Sequence, residues 1–224
     1  KLKIKTPLVV LPQQENLGFA RAINLAVEVA KYNYIYLMNN DMEAQSNTFS
    51  KLIEFVNELL KRKQVFFSIA SQVFFFDPNK PRQESGKTYC FTKKFGLIDI
   101  RHMINSGSLE ENSLTLYAGG GSSLFNKKMF LELGGFDADR FKPMYVEDLD
   151  LGVTAWEHGY PSYFCANSHI LHHHRASSTK WKVSPDDIIR KNLGVFMRKH
   201  WKFLRKPLLR NFVEFELNEG QKYL

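Results

Sequence analysis

The sequence predicts an α/β fold: a mostly parallel sheet flanked by helices, followed by a basic helical segment. Three observations lead there. Strand-like apolar runs alternate with stretches of helical period from the start of the chain, the order that builds parallel sheets. The run Tyr34-Ile35-Tyr36-Leu37-Met38 is continuously apolar and aromatic, as a strand covered on both faces requires. Charge is also segregated. The chain of 224 residues carries a formal net charge of +8, and the ten Lys/Arg and two acids between Lys180 and Arg210 account for all of it. With 44% hydrophobic and 24% charged residues, disorder, collagen-like sequence and coiled coil are excluded as the main class. No apolar run approaches the ~20 residues that span a bilayer. The two cysteines, Cys90 and Cys165, cannot form a disulfide framework and suit a reducing cytosol.

The elements follow in order. Leu8-Val9-Val10-Leu11 reads as a short buried strand closed by Pro12. From Leu17 to Lys31 the apolar residues Phe19, Ile23, Ala26, Val27 and Ala30 recur at helical spacing. The Tyr34–Met38 strand ends at Asn39-Asn40-Asp41. Asn47 to Arg62 is helical, with Ser46 as its N-cap. Val65 to Phe76 has strand composition, and Asp77 to Gly86 is rich in turn residues. Tyr89 to Glu111 shows no period and reads as irregular. Leu114–Tyr117 and Ser123–Phe125 are strands on either side of Gly119-Gly120-Gly121. Lys127–Leu133 is a short helix stopped by Gly134-Gly135, and Glu147–His158 is a helix stopped by Gly159. Tyr163–Ala166 and His169–Leu171 are two short strands. From Pro185 onward Ile188, Ile189, Leu193, Phe196 and Met197 mark a basic amphipathic helix.

Some motifs fail on inspection. Gly86-Lys87-Thr88 has the end of a phosphate-binding P-loop, but Pro81 stands where the pattern needs glycine. It reads as a turn before a strand. The Gly119–Gly121 triplet is either a turn or a place where backbone approaches a ligand closely. Asn39-Asn40-Asp41 follows a buried strand, where open α/β sheets bind ligands and where a carboxylate can hold a hard cation. The same residues also favour plain turns. Glu147, Asp148 and Asp150 open a helix and complement its macrodipole. Three acids so close also raise one another's pKa, as sites do. His169 and His172-His173-His174 offer imidazole ligands or a polar loop. Zinc is disfavoured, because HExxH and cysteine pairs are absent.

Taken together, Asn16-Leu17-Gly18-Phe19-Ala20-Arg21-Ala22-Ile23-Asn24, Leu37-Met38-Asn39-Asn40-Asp41, Gly134-Gly135-Phe136-Asp137, Glu147-Asp148-Leu149-Asp150-Leu151, Gly159-Tyr160 and His172 resemble family 2 glycosyltransferases of the Rossmann-like GT-A fold. The closest flavour is the bacterial rhamnosyltransferase-like and galactofuranosyltransferase-like branch. The resemblance implies a catalytic domain over residues 1–180 and a basic C-terminal segment over 181–224. It implies an N-terminally incomplete pattern, with Leu8–Leu11 as the third strand. The exposed sheet edge would then need an upstream segment or a partner chain, a homo-oligomer among the options.

By the same resemblance, Asp41 and His172 bind Mn²⁺ or Mg²⁺, with His173 and His174 as alternatives to His172. Asp148 is the general base. Asn16, Arg21, Asn39, Asn40, Gly120, Gly121 and Glu147 contact substrates. Asn39 stands where the family has an aspartate, so it can accept a hydrogen bond but brings no charge. The implied reaction moves a sugar from a nucleotide-sugar donor to a glycan or lipid-linked acceptor, with inversion, in bacterial surface polysaccharide or glycolipid synthesis. The basic segment would dock on an anionic membrane at its cytoplasmic face, or pack on the catalytic domain. Two other readings compete. A nucleic-acid module using Trp181 and Trp201 leaves the acids unexplained. A catalytically inactive relative would serve only as an assembly surface.

Overall fold

The computed structural model describes residues 7–77, 79, 86–92, 98–102, 110–173 and 184–204. In chain order the elements are α1 (Gly18–Val29), β1 (Tyr34–Met38), β2 (Met42–Ala44), α2 (Thr48–Lys61), β3 (Ser68–Phe75), β4 (Thr88–Thr92), β5 (Ile98–His102), β6 (Ser113–Thr115), β7 (Ser122–Asn126), α3 (Lys127–Glu132), α4 (Glu147–Glu157), β8 (Ser162–His172) and α5 (Pro185–Leu204). The architecture is α/β, a six-stranded sheet flanked by helices. Its order is β1-β7-β3-β8-β2, with β6 also paired to β8. Strand direction is mixed. The β3–β8 pair is parallel, and β7 runs antiparallel to both β1 and β3, which therefore share a direction. β4 and β5 form a separate antiparallel hairpin.

Three apolar clusters hold these layers. One joins α1 and α3 to the sheet through Val27, Phe67, Phe125, Phe130 and Phe136. A second lies under α2, with Leu52, Leu59 and Ile69. The third joins α4 to α5 through Leu149, Val153, Phe196 and Leu204. α5 is a basic helix, but its stripe Ile188, Asn192, Phe196, His200 and Leu204 is buried. The four-residue spacing places these five on one face. The packing of Leu193, Phe196 and Met197 on the domain, one of the two sequence alternatives, is what the structure shows. Among the described residues no helix is long and apolar enough to cross a membrane.

Several local expectations are corrected. Leu8–Leu11 is not a strand, and Leu8, Val9 and Val10 are about 70% exposed. Apolar composition alone makes no strand without a neighbour to complete its ladder. β1 pairs only with β7 among the described residues and is not a central parallel strand. Tyr89–Glu111 is not wholly irregular, because it contains most of β4 and all of β5. Asn47, not Ser46, occupies the N-cap position of α2, and no side chain caps that end. The two short strands near Tyr163 and His169 are one strand, β8. It is interrupted by a bulge: Ser71 pairs with Cys165, while the next residue, Gln72, pairs with His169. The bulge is satisfied internally, since Gln72 Nε2 donates to the Ala166 carbonyl at 2.6 Å and Ser71 and Ser168 hydroxyls meet at 2.8 Å. Gly86-Lys87-Thr88 is the turn into β4 that the failed P-loop suggested. A Cβ at Gly86 would stand 1.8 Å from the Ser71 carbonyl oxygen.

Candidate active site

The end of β1, the glycine loop before β7 and the start of α4 meet. The Asn39 amide donates to the Gly121 carbonyl at 3.0 Å, extending the β1–β7 ladder past both strands. The Gly120 amide donates to Asp148 Oδ2 at 3.1 Å. One short loop thus ties the Asn39–Asp41 turn to the first turn of α4. Two of its glycines stand where the surroundings leave little room. A Cβ at Gly121 would lie 2.5 Å from Asn39 Nδ2, and one at Gly120 would lie 3.1 Å from the Phe19 ring. A Cβ at Gly119 would stand 3.8 Å from Asp148 Oδ2.

The second arm of the site comes from β2 and β8. Their register sets Met42 opposite His172, and the His173 amide donates to the Asp41 carbonyl at 2.9 Å. His172 Nε2 consequently stands 3.6 Å from Asp41 Oδ2, with both side chains largely buried. Asp41 Oδ1 is buried and has no hydrogen-bond partner among the described residues. A buried carboxylate oxygen left unpaired is costly unless something positive completes it. This oxygen–nitrogen pair could hold a divalent cation, with substrate oxygens and water filling the remaining positions. No group of three or more His, Cys, Asp or Glu side chains that could hold a metal occurs among the described residues. His173 turns elsewhere, stacking on Phe76 with ring centres 3.8 Å apart. His174 lies outside the described residues.

α4 begins from an unusual turn. Tyr145 and Val146 have φ of 71° and 79°, the left-handed region that side chains avoid. For a β-branched residue such as Val146 this is a marked outlier, and each such residue costs roughly 1–3 kcal/mol. The next two residues are Glu147 and Asp148. Asp148 Oδ1 accepts from the Leu149 amide at 2.8 Å while Oδ2 accepts from Gly120. Burial pushes the Asp148 carboxyl above its ordinary range, and the two amide hydrogen bonds partly offset this. Glu147 is pushed up to about 8, first by burial and then by the Asp148 charge. It is 4% exposed, and its Oε2 has no hydrogen-bond partner among the described residues. The pair therefore combines a carboxyl held by two amides with one that favours its neutral form.

The other expected residues are placed as follows. Asn39 is half-buried against Gly121, and Asn40 is exposed at the turn. Asn16 Oδ1 accepts from the Gly18 amide at 2.9 Å, opening α1. Arg21 pairs with Asp139 at 2.7 Å. That pair borders a cavity of about 400 Å³ also lined by Asn24, Asp150, Thr154 and Lys199, with neither Asp41 nor Asp148 among its walls. Sequence reasoning missed two features. Asn24 exchanges two 2.9 Å hydrogen bonds with the Phe136 backbone, fixing the Gly134-Gly135-Phe136 turn to α1. Asp150 is not a macrodipole residue in solvent. It is buried, 2.9 Å from His200 Nε2 and 2.6 Å from Lys199 Nζ, while His200 Nδ1 faces Glu157 at 3.0 Å. The available signal was a polar residue every second place in the Ile188-Asn192-Phe196-His200 stripe.

Comparison with known proteins bears on the family and the fold. The model of the family described as "Glycosyl transferase family 2" matches residues 2–132. That span includes Asp41 and the glycine loop and stops before Asp148 and His172. A search of curated proteins gives no match. Among solved structures, the chain is similar to GalNAc-T7, crystallised with UDP, GalNAc and Mn²⁺. The TM-score is 0.59 at 16% identity, over 83% of this chain. The chain corresponds to 35% of the length of that protein, and at this identity the likeness establishes the GT-A fold alone. With more than half of its length matched by the family model, the chain belongs to glycosyl transferase family 2.

Proposed function

We propose that the protein transfers a sugar from a nucleoside-diphosphate donor to an acceptor hydroxyl, with inversion at the anomeric carbon. The observation that carries this reading is the glycine loop that joins the Asn39–Asp41 turn to Asp148. It ties Asp148, the general base in this reading, to the turn that carries Asp41. Asp41 and His172 would hold the Mn²⁺ or Mg²⁺, and the unpartnered Asp41 Oδ1 fits that role. When bound, such a cation stabilises negative charge on a diphosphate leaving group.

The chain's own residues do the rest. Asp148 accepts the proton of the acceptor hydroxyl as that oxygen bonds to the anomeric carbon and the bond to the diphosphate breaks. One base acting opposite the leaving group gives a single displacement, hence inversion. Glu147, protonated near neutral pH, offers a donor hydrogen to a substrate oxygen. Asn39, Asn40, Gly120 and Gly121 line the donor side, and Asn16 borders it from the start of α1. Arg21, paired with Asp139 at the surface, is a further substrate contact in this reading. The acceptor is a glycan or lipid-linked sugar, as in bacterial surface polysaccharide or glycolipid synthesis. A lipid-linked acceptor would be met at an anionic membrane through the bases on the solvent side of α5.

The test is a screen of UDP-, GDP- and dTDP-sugars for transfer, run beside Asp148→Asn. The amide is nearly isosteric and cannot accept the proton. Transfer should fall roughly 10²–10⁴-fold while nucleotide binding persists. Retention of more than about a tenth of the activity would remove Asp148 from the role of base.

A further inference from the structure

α5 touches the strained turn directly. Asn192 is fully buried, and its Nδ2 donates to the carbonyls of both Met144 and Tyr145, each at 3.0 Å. These carbonyls lie at the entry to the left-handed Tyr145–Val146 pair that launches Glu147 and Asp148. Two helical turns further along, His200 and Lys199 grip Asp150, two residues after Asp148. The same helix face thus holds α4 from both sides of Asp148. A turn in sparsely populated backbone geometry persists only where its surroundings over-determine it. Val146 is also buried in the α4–α5 cluster, to which α5 contributes.

From this geometry, and resting on Asp148 as the base, we infer that Asn192 is a positioning residue for catalysis, with His200 as its second anchor. The basic helix is then a working part of the active site, in addition to whatever its solvent face does. Asn192 does not touch substrate. It fixes the carbonyls that set the Tyr145–Val146 turn, and through them the direction of the Asp148 carboxylate relative to the Gly120 amide. Misplacing a reacting group by about 1 Å costs on the order of 10²-fold in rate.

Asn192→Leu removes the donor while keeping the same branched arrangement of side-chain heavy atoms, and tests the idea in the full chain. The expected result is a kcat about 10–100-fold lower, with donor KM and nucleotide affinity unchanged. In the Asp148→Asn background the same substitution should cost nothing further, because there is no base left to aim. Ile188→Ala, one turn before Asn192 in the same buried stripe but bonded to neither carbonyl, is the control for lost packing and should reduce stability while sparing kcat. If Asn192→Leu does not fold, Asn192→Ser retains one donor and should show the same split in milder form. Three results would overturn the inference: full kcat in a folded Asn192 variant, equal kcat losses in the Ile188 control, or additive losses with Asp148→Asn. The parent reading fails separately, on an active Asp148→Asn protein.

Discussion

Glu147→Gln should stabilise the protein at alkaline pH and leave it unchanged in mild acid. Burial and the Asp148 charge lift the Glu147 carboxyl from its ordinary 4.5 to about 8. Below pH 4.5 the group is protonated whether the chain is folded or not, so it contributes no difference. Between 4.5 and 8 the folded protein keeps the proton and the unfolded chain releases it. Folded stability therefore falls as pH rises through this window and levels off above it. The distance between the two values corresponds to on the order of 5 kcal/mol at the plateau, part of which is shared with Asp148. Glutamine is always neutral and escapes the loss. Denaturant unfolding of both proteins in chelator at pH 5, 7 and 9 gives the difference directly, since groups common to both largely cancel. The expected gain is under about 1 kcal/mol at pH 5 and several kcal/mol at pH 9. A gain that stays constant within about 0.5 kcal/mol across that range would refute the argument, because it would mean Glu147 ionises normally in the fold.

Other outcomes follow from the same geometry. Chelator and Asp41→Ala should each weaken nucleoside-diphosphate binding, and together no more than either alone, as titration calorimetry would show; additive losses would count against Asp41 as a cation ligand. Gly121→Ala should displace Asn39 and lower transfer sharply, whereas Gly134→Ala, with nothing within 4 Å of the new Cβ, should cost only about 1 kcal/mol of backbone strain in a melting assay. The solvent-side bases of α5 should give salt-sensitive co-sedimentation with anionic but not neutral vesicles; equal behaviour with both vesicle types would sink the membrane proposal.

Much of the site was legible because its chemistry is local in sequence. Asn39-Asn40-Asp41 follows a five-residue apolar run, and Glu147-Asp148 opens a helix that ends at a glycine, so both signals fit within a few residues. The His172–Asp41 neighbourhood could be expected only through resemblance, since it depends on the register of β2 against β8. What stayed hidden depends on partners distant in the chain. Leu8–Leu11 has strand composition but no ladder. The β4–β5 hairpin is made of five-residue strands too short to show a period. α5 read as amphipathic from Leu193, Phe196 and Met197, yet the face it buries is centred on Asn192 and His200. Their burial makes sense only once the Tyr145 carbonyl and the Asp150 carboxylate are beside them.

The bulge in β8 separates two jobs within one strand. Before it, Ser162 to Cys165 run beside the first half of β3; after it, His169 to His172 run beside the second half and bring an imidazole to Asp41. Three residues intervene on β8 where β3 has none, and side chains alternate faces at every step, so the odd number reverses which face the downstream residues present. Ala166 is itself buried in the Phe164 core, so a change of length within Ala166–Ser168 would re-aim His172 and be felt in the packing beneath it. The bulge works as a joint that couples the aim of the imidazole at Asp41 to the interior of the sheet.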